Sequence, residues 1–350
     1  MKKRDLAVVI AFLAAISLCG AAFLLLPKAD FSPRERRVLA SLPELGQDDF
    51  DSAFESYVVD HIPLREPLVA LNAYFGLITG RDGLNGAYLG RDGYLLAAPM
   101  EKNDAGFARN LEAMASFVQS SGLPARLIAP MSKGAALADK IIGPHEPYPD
   151  GEYLSQLPEA LPNVEIVDIG QVEYYKTDHH WTSRGAYQAY CAYMRAVGGQ
   201  PSPEDAYEKV AREGFYGTTY AQSGYFASSS DTMEMWVSDW NASAFHWEKL
   251  DGYDMYQVFL GGDVGVDVLD SPSAPEGTLL LFKDSFADAL APFLMQHYSR
   301  IVLVDLRYAR NTDLAELVAE YAPQEILFVY CMDSLVNETS LRLLDAAYAG

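Results

Sequence analysis

An uninterrupted apolar segment near the N-terminus is typical of a membrane-spanning helix. Residues 6–26 contain no charged side chain, and a helix of this length, at about 1.5 Å rise per residue, crosses about 30 Å of hydrocarbon. Lys2, Lys3 and Arg4 come directly before it, and basic flanking residues stay on the cytoplasmic side. The pattern therefore predicts a cytoplasmic tip and anchor at residues 1–29, with the rest of the chain outside the cytoplasm.

A cleaved signal sequence is the alternative for this segment. Signal sequences usually have an apolar core of about 7–15 residues that ends in small residues. Ala21 and Ala22 would suit a cleavage site, but the apolar run continues through residues 23–26. We therefore favour an uncleaved anchor, and cleavage remains open.

The next part of the chain, residues 30–85, is charged and contains prolines at first, and is helical afterwards. It predicts a stalk or leading arm at residues 30–49, followed by helices that break or start at Pro63 and Pro67. Two apolar stretches around an Asp-Gly pair then predict a β-hairpin over residues 86–96.

From residue 86 to residue 350 the pattern alternates between strands and helices. Short apolar runs of the buried-strand type occupy residues 125–129, 164–169, 278–282, 301–305 and 325–330. Helical patterns lie between them at residues 103–120, 183–197, 285–297 and 312–321. This alternation predicts an α/β domain with a mainly parallel sheet and helices on both faces. At about 207–265 it is interrupted by aromatic, Gly- and Ser-rich sequence, which predicts a β-rich insertion near the functional site.

Composition and charge narrow the class of protein. Half of the residues are hydrophobic, which allows a packed core, and the formal net charge is −22. This acidic balance argues against nucleic acid as a partner, because phosphate recognition requires clustered Lys and Arg, and it disfavours a highly anionic polymer as substrate. Three cysteines are too few for a disulfide-rich scaffold. A pair between Cys191 and Cys331 remains open in an exported domain.

A cluster of functional residue types precedes the helix predicted at residues 183–197. Asp178 lies two residues before His180, so its carboxylate can turn back on the imidazole, fix the tautomer and leave the other ring nitrogen free as a base. The pair can instead cap the helix or belong to the core. Together with His179 it also offers metal-ligand types, but the sequence has no second His or Cys cluster to complete a metal site. We therefore expect no metal.

A second cluster contains Ser285. An apolar strand ends and a helix begins beside this residue, and a sharp strand-to-helix turn exposes a serine hydroxyl near the N–H groups of the helix start. Such a turn provides a nucleophile and part of an oxyanion hole, although serine is also a common helix cap there. Because both clusters border a parallel sheet, we expect them at the same carboxyl edge, where His180 and Asp178 would form a catalytic triad with Ser285.

The Thr-Asp-His-His-Trp segment at residues 177–181 resembles the signature of the bacterial DHHW family. Residues 88–94, 283–286 and 304–308 also look like its members, so that the resemblance extends over about 60–333. The family is similar to alginate O-acetyltransferases of the AlgX/AlgJ type, whose domain is related to SGNH hydrolases. The resemblance therefore implies a flavodoxin-like, SGNH-hydrolase-like fold.

The resemblance also implies roles for the three residues of the predicted triad. Ser285 would attack an acyl ester, His180 would act as the general base, and Asp178 would orient the imidazole. Their order in the chain, with the Asp-X-His motif before the serine, is that of the acetyltransferases. One departure is Lys283, which occupies a position where the relatives have glycine, so that the close approach a glycine allows is in question.

Further residues are candidates for binding the substrate. Ser132 and Lys133, in a loop after a predicted strand, are candidates for oxyanion donors, with an ordinary solvated loop as the alternative. Arg307 could hold an anionic substrate or pair with Asp305. Trp181 could stack on a sugar ring, although aromatic residues beside a helix start usually belong to the core.

These observations predict an extracytoplasmic, membrane-anchored O-acyltransferase that acts on a cell-envelope or secreted glycan through an acyl-enzyme, with acetyl as the group implied by the resemblance. The same triad would serve a carbohydrate esterase or deacetylase, and a non-catalytic glycan-binding or assembly protein is the alternative from another class. The expected partners are a glycan or acylated sugar, the membrane and other envelope acylation proteins. We expect no cofactor.

Overall fold

The computed structural model describes residues 3–346. Its helices are α1 (Lys3–Leu25), α2 (Phe50–His61), α3 (Arg65–Ile78), α4 (Asp104–Ser121), α5 (Lys133–Ala136), α6 (Asp150–Leu154), α7 (Leu157–Ala160), α8 (Ser183–Ala196), α9 (Thr218–Ser223), α10 (Phe286–Leu294), α11 (Leu314–Tyr321), α12 (Met332–Asn337) and α13 (Leu343–Ala346). The strands are β1 (Phe31–Ser32), β2 (Arg37–Val38), β3 (Ala87–Leu89), β4 (Leu95–Ala97), β5 (Ala125–Ile128), β6 (Val164–Ile166), β7 (Glu208–Phe215), β8 (Asp231–Val237), β9 (Val266–Asp270), β10 (Thr278–Lys283), β11 (Arg300–Val304) and β12 (Glu325–Val329).

A six-stranded sheet with the order β6-β5-β12-β10-β11-β9 forms the centre of the molecule. The first five strands are mutually parallel, and β9 pairs antiparallel with β11 at one edge. The central strand β10 is buried almost along its whole length, which explains its continuous apolar sequence. The α/β fold with a mainly parallel sheet is thus confirmed.

Helices cover both faces of this sheet, as the alternating pattern predicted. Leu279 and Leu281 of β10 belong to one apolar layer, together with α8 and α10. Leu280 and Phe282 belong to the opposite layer, together with α4, α11 and α12. The two sets alternate along the strand because successive side chains point to opposite faces of a sheet.

The N-terminal helix α1 is long and apolar enough to cross a membrane, and its apolar window is not buried against the rest of the protein. This helix fits a membrane anchor or a signal sequence. Lys2, one of the basic residues used to predict the orientation of the segment, lies outside the described residues. The helices predicted after residue 50 are confirmed, and they are interrupted at residues 62–64, where Pro63 lies.

Residues 30–49, predicted as a stalk, return to the body of the protein. Strands β1 and β2 pair antiparallel, and the ring of Phe31 packs on that of Tyr253 with 4.5 Å between centroids. Arg37 forms an ion pair with Asp60 of α2. We call residues 31–38 the arm hairpin. Charged residues suggested an exposed stalk, but their partners lie within the same chain.

The segment expected as an insertion contains the β7–β8 hairpin and the short helix α9. Strand β9 directly follows this segment and was not predicted, because its alternating apolar and acidic residues are typical of an exposed edge strand rather than a buried one. The hairpin predicted at residues 86–96 is present as β3 and β4. Cys19, Cys191 and Cys331 are all free. The division of the chain into domains stays a prediction.

Candidate active site

Ser285 lies in the sharp turn between β10 and α10, at the N-cap position of the helix. Its side chain makes no capping hydrogen bond. The neighbouring Asp284 holds the turn instead: its Oδ1 accepts the Phe286 N–H at 2.9 Å, and its Oδ2 accepts the Cys331 N–H at 2.8 Å. The serine hydroxyl is therefore available for another partner, and the turn is attached to the loop that follows β12.

Lys283 does not obstruct this turn, although it replaces the glycine of the relatives. Its side chain is buried, and Nζ donates to Asp288 Oδ1 at 2.6 Å and lies 3.7 Å from Asp305 Oδ2. Burial lowers the pKa of this ammonium, but the two carboxylates outweigh that effect and raise the pKa above its ordinary value. The lysine is thus a charged core residue held by two acids.

The loop that carries Asp178 and His180 is fixed by hydrogen bonds that its backbone N–H groups donate. The Tyr175 N–H donates to the His180 carbonyl at 3.2 Å, which closes the loop on itself. The buried carboxylate of Asp231 accepts the backbone N–H of Lys176 and that of Thr177, each at 2.8 Å. A loop so restrained presents its side chains in fixed positions.

Asp178, His180 and Ser285 form a continuous hydrogen-bonded chain. His180 Nε2 lies 2.7 Å from Ser285 Oγ, and His180 Nδ1 lies 2.6 Å from Asp178 Oδ1. Asp178 and His180 are only 1% and 4% exposed, whereas Ser285 is partly exposed. The contacts expected between the two sequence clusters are thus present. The catalytic roles of the three residues stay a prediction.

The electrostatics of the pair favour an ionised carboxylate. Burial alone would raise the pKa of Asp178, but the imidazoles of His180 and His179, with hydrogen bonds from His180, outweigh it and hold that pKa well below its ordinary value. An ionised Asp178 accepts the proton of His180 Nδ1, which leaves the lone pair of Nε2 directed at the serine hydroxyl.

Three residues of the insertion complete the surroundings of the pair, and the sequence analysis did not single them out. The ring of Tyr256 stacks on the imidazole of His180, with 3.9 Å between centroids and 6° between planes. The Thr218 N–H donates to Asp178 Oδ2 at 2.8 Å. Gly217 allows this approach, because a Cβ there would lie 2.1 Å from Asp178 Cβ. These positions carry no local motif, and only the expectation that the insertion borders the site points to them.

Lys133 is buried rather than solvated. Its Nζ donates to the carbonyl oxygens of Asp178 and Lys176, so it stabilises the loop that carries Asp178 and His180. Ser132 caps α5 by accepting the Ala135 N–H at 3.3 Å, and its own N–H donates to Asp150 at 2.6 Å. The Ser132 N–H is therefore already used, which does not fit a free oxyanion donor.

Trp181 and Arg307 have structural surroundings. Trp181 has no exposed surface, and its Nε1 donates to the Phe286 carbonyl at 3.0 Å. This burial does not fit stacking on a sugar, and the ring is a core residue that joins the two halves of the site. Arg307 Nε donates to Asp305 at 2.9 Å, and its guanidinium lies 3.6 Å from Asp263. Of the two interpretations from the sequence, the structure favours the ion pair.

A cavity of about 340 Å³ opens beside His179 and Phe286, the neighbours of the histidine and the serine. Its walls combine small apolar residues with a few polar ones, among them Ala97, Ala98, Ser132, Lys133, Thr218 and Asp333. The cavity is large enough for a small acyl group and part of a sugar.

Asp178, His179 and His180 also form a group of metal-ligand types, with the ligand atoms within 4.8 Å of one another. Each of these atoms already has a hydrogen-bond partner: His179 Nδ1 lies 2.6 Å from Thr218 Oγ1, and the other two residues are bonded to each other and to Ser285. The arrangement fits proton transfer better than coordination of an ion.

We predict that Lys133→Met changes the dependence of stability on pH. Burial lowers the pKa of Lys133 to about 7, so between this value and the ordinary 10.5 the unfolded chain holds a proton that the folded chain lacks. The penalty for burying the ammonium is full below pH 7 and disappears as the pH rises. The wild-type chain should gain about 1.4 kcal/mol of unfolding free energy per pH unit relative to the variant over this range.

Urea denaturation of both detergent-solubilised chains between pH 7 and pH 10 measures this difference. Arg126→Met is the control, and it removes an ion-paired cation near the other end of the sheet. The difference in unfolding free energy between the wild-type chain and this variant should be nearly independent of pH. If the unfolding free energies of the wild-type chain and Lys133→Met change in parallel with pH, the lowered pKa of Lys133 is contradicted.

The sheet, the serine turn and the Asp-His loop define the class: an α/β protein with a hydrogen-bonded Asp-His-Ser arrangement at the carboxyl edge of parallel strands. Within that class, the sequence model described as "DHHW protein" matches residues 167–244, which include the Asp-His-His-Trp motif and confirm the resemblance. No curated protein sequence matched the chain.

Two of the solved structures to which the chain is similar share its fold, and a third is a more distant match. A DHHW family protein from Eubacterium siraeum is 21% identical, with a TM-score of 0.61, and the match covers 74% of this chain and 95% of that one. Bacillus cereus PatB1 with a sulfonyl adduct is 20% identical, with a TM-score of 0.61 and coverage of 73% and 99%. The O-acetyltransferase domain of Pseudomonas putida AlgJ is 16% identical, with a TM-score of 0.49 and coverage of 75% and 99%.

Proposed function

We propose that the chain is a serine-dependent O-acyltransferase that works outside the cytoplasm and transfers acetyl groups to a cell-envelope or secreted glycan. One observation carries the proposal: Ser285 Oγ lies 2.7 Å from His180 Nε2 while Asp178 holds the opposite nitrogen. A serine is a weak nucleophile until an adjacent base accepts its proton. The N-terminal apolar helix supports the location.

In the first half of the reaction, His180 Nε2 takes the proton of Ser285 as Oγ forms a bond to the acyl carbon. The bond between this carbon and the donor oxygen then breaks, and the imidazolium returns the proton to the leaving alcohol. In the second half, His180 takes a proton from a sugar hydroxyl as its oxygen forms a bond to the acyl carbon. The bond between this carbon and Ser285 Oγ then breaks, and the imidazolium returns the proton to Oγ. The backbone N–H of Ser285, at the N-cap of α10, is the proposed donor to the developing oxyanion.

The nature of the acyl group and of the acceptor rests on resemblance and size. The Asp-His-His-Trp motif resembles that of alginate O-acetyltransferases, which act on a polysaccharide. PatB1, one of the structures with the same fold, is described with a sulfonyl adduct, and sulfonyl groups are electrophiles that react with activated nucleophiles. The cavity of about 340 Å³ suits a small acyl group.

The test is turnover of a chromogenic acetyl ester by the full chain in detergent, with and without a neutral oligosaccharide acceptor. We expect one acetyl group on Ser285 by mass spectrometry, and acetylated oligosaccharide when the acceptor is present. Rapid release of acetate, unaffected by the acceptor, would indicate an esterase with the same triad. An unmodified Ser285 and no turnover would contradict catalysis and favour a glycan-binding protein.

A further inference from the structure

The arm hairpin brings an arginine to the buried side of the candidate site. Arg36 lies in the turn between β1 and β2 with φ of 53°, in the left-handed region that residues with a side chain seldom adopt. Its side chain is only 11% exposed. A strained turn that buries a guanidinium indicates a position determined by the partners of that group.

Those partners are two carboxylates of the site region. Arg36 forms an ion pair with Asp254, two residues before the Tyr256 that stacks on His180. Its Nη1 lies 4.0 Å from Asp178 Oδ2. This Nη1 atom is buried and has no hydrogen-bond partner. A buried guanidinium is unfavourable unless it is paired, so its placement depends on the charge of these carboxylates.

Asp178 is therefore held from two sides. Oδ1 accepts hydrogen bonds from the backbone and the ring of His180, whereas Oδ2 accepts the Thr218 N–H and faces Arg36. The guanidinium is a positive charge from the arm hairpin, and it lies on the side of the carboxylate opposite to the imidazole of His180.

We propose that Arg36 is a positioning residue of the site: it places a positive charge beside the outer oxygen of Asp178 and couples activity to docking of the membrane-proximal arm hairpin. The proposal rests on the proposed function, since it concerns the same Asp-His-Ser arrangement. Arg36 acts through Asp178, and its ion pairs are with Asp178 and Asp254. Docking of the arm hairpin is then a condition for a correctly oriented base.

The effect of Arg36 on the pH profile has to be separated from that of other charges. The titratable groups that face the Asp-His pair come from the loop itself, the insertion, the serine turn, α5, α10, β8 and the arm hairpin. They are Tyr175, His179, Asp254, Tyr256, Asp284, Lys133, Asp288, Asp231 and Arg36. All except Arg36 are unchanged in the variants below, so a difference between profiles reports on its guanidinium.

The test compares full chains with Arg36→Gln, Arg36→Lys and Arg34→Gln by kcat/KM for a chromogenic acetyl ester between pH 5 and pH 9. Arg36→Gln should lower the plateau about tenfold and move the acidic limb to higher pH, because loss of a nearby positive charge makes protonation of the coupled Asp-His pair easier. Arg36→Lys should restore the limb. Arg34, in the same hairpin, pairs with Glu66 and is 44% exposed, and its variant should match the wild-type chain.

The outcomes separate this proposal from the function on which it rests. A wild-type chain without turnover or acetyl on Ser285 contradicts the function. An active wild-type chain with the same profile as Arg36→Gln contradicts the role of Arg36. A lower plateau with an unmoved limb, not restored by lysine, shows that Arg36 serves only the folding of the arm hairpin and also overturns the proposal.

Discussion

Replacing Ser285 with alanine is expected to lower kcat for acetyl-ester turnover about 10³-fold or more while leaving the free energy of unfolding nearly unchanged. Without the hydroxyl, the proton acceptor at His180 has no nucleophile to activate, and only binding and oxyanion stabilisation remain. Stability should be preserved because the Ser285 side chain makes no capping bond to α10, so the usual loss of a helix cap does not apply. Steady-state kinetics and urea denaturation measure the two quantities.

Asn103→Ala is the matched control for Ser285→Ala. Asn103 is the N-cap of α4, and its side chain accepts the Gly106 N–H at 2.9 Å. Its loss should cost about 1 kcal/mol of stability and leave kcat within a factor of two or so, since a remote cap changes no transition-state contact. Ser285→Ala should thus lose activity but keep its stability, whereas Asn103→Ala should lose stability but keep its activity. If Ser285→Ala retains turnover, another side chain is the nucleophile and the role of Ser285 is contradicted.

Replacing Asp178 with asparagine is expected to lower kcat about 10²–10⁴-fold. The amide keeps the size of the side chain but has no charge to stabilise the imidazolium. Its NH₂ group can also donate to His180 Nδ1, which puts the ring proton on Nε2, so that this nitrogen can no longer accept the proton of the serine. The effect should appear in kcat rather than KM. The Asp-His pair assists proton transfer during the reaction, and Asp178 is too buried to contact the bound substrate.

The same substitution should change stability at low pH. The pKa of Asp178 lies well below its ordinary value, so the ionised carboxylate contributes stability above the unfolded pKa, and this contribution is lost as the pH falls through the folded one. The wild-type chain should therefore lose more stability in acid than Asp178→Asn. Asp313→Asn, an exposed cap of α11, controls for a change of carboxylate to amide. Equal acid sensitivity of the wild-type chain and Asp178→Asn would contradict the lowered pKa.

The main elements and the central contact of the site were predictable because their signals are local. The strands of the parallel sheet have continuous apolar runs, and the helices repeat their buried positions at helical spacing. Asp178, His180 and Ser285 lie in loops at the carboxyl edge of such a sheet, and topology brings such loops together whatever the distance along the chain.

The remaining parts of the site depend on tertiary packing. Tyr256, Gly217 and Arg36 come from irregular segments whose positions no periodicity determines, and each acts through contact with Asp178 or His180. Lys133 is a residue for which the local sequence suggests the wrong environment. A lysine in a short loop is usually solvated, and only the two carbonyl oxygens beneath the Asp-His loop explain its burial.

The place of the serine strand in the sheet has a consequence for biosynthesis. Strand β10 lies between β11 and β12, which both follow it in the chain. The Asp284 N–H donates to the Val329 carbonyl, and its carboxylate accepts the Cys331 N–H. Synthesis proceeds from the N-terminus, so the histidine emerges long before the segment that holds the serine turn. On the proposed mechanism, a nascent chain that lacks residues 325–331 is inert, and reactivity begins only once this segment has been added.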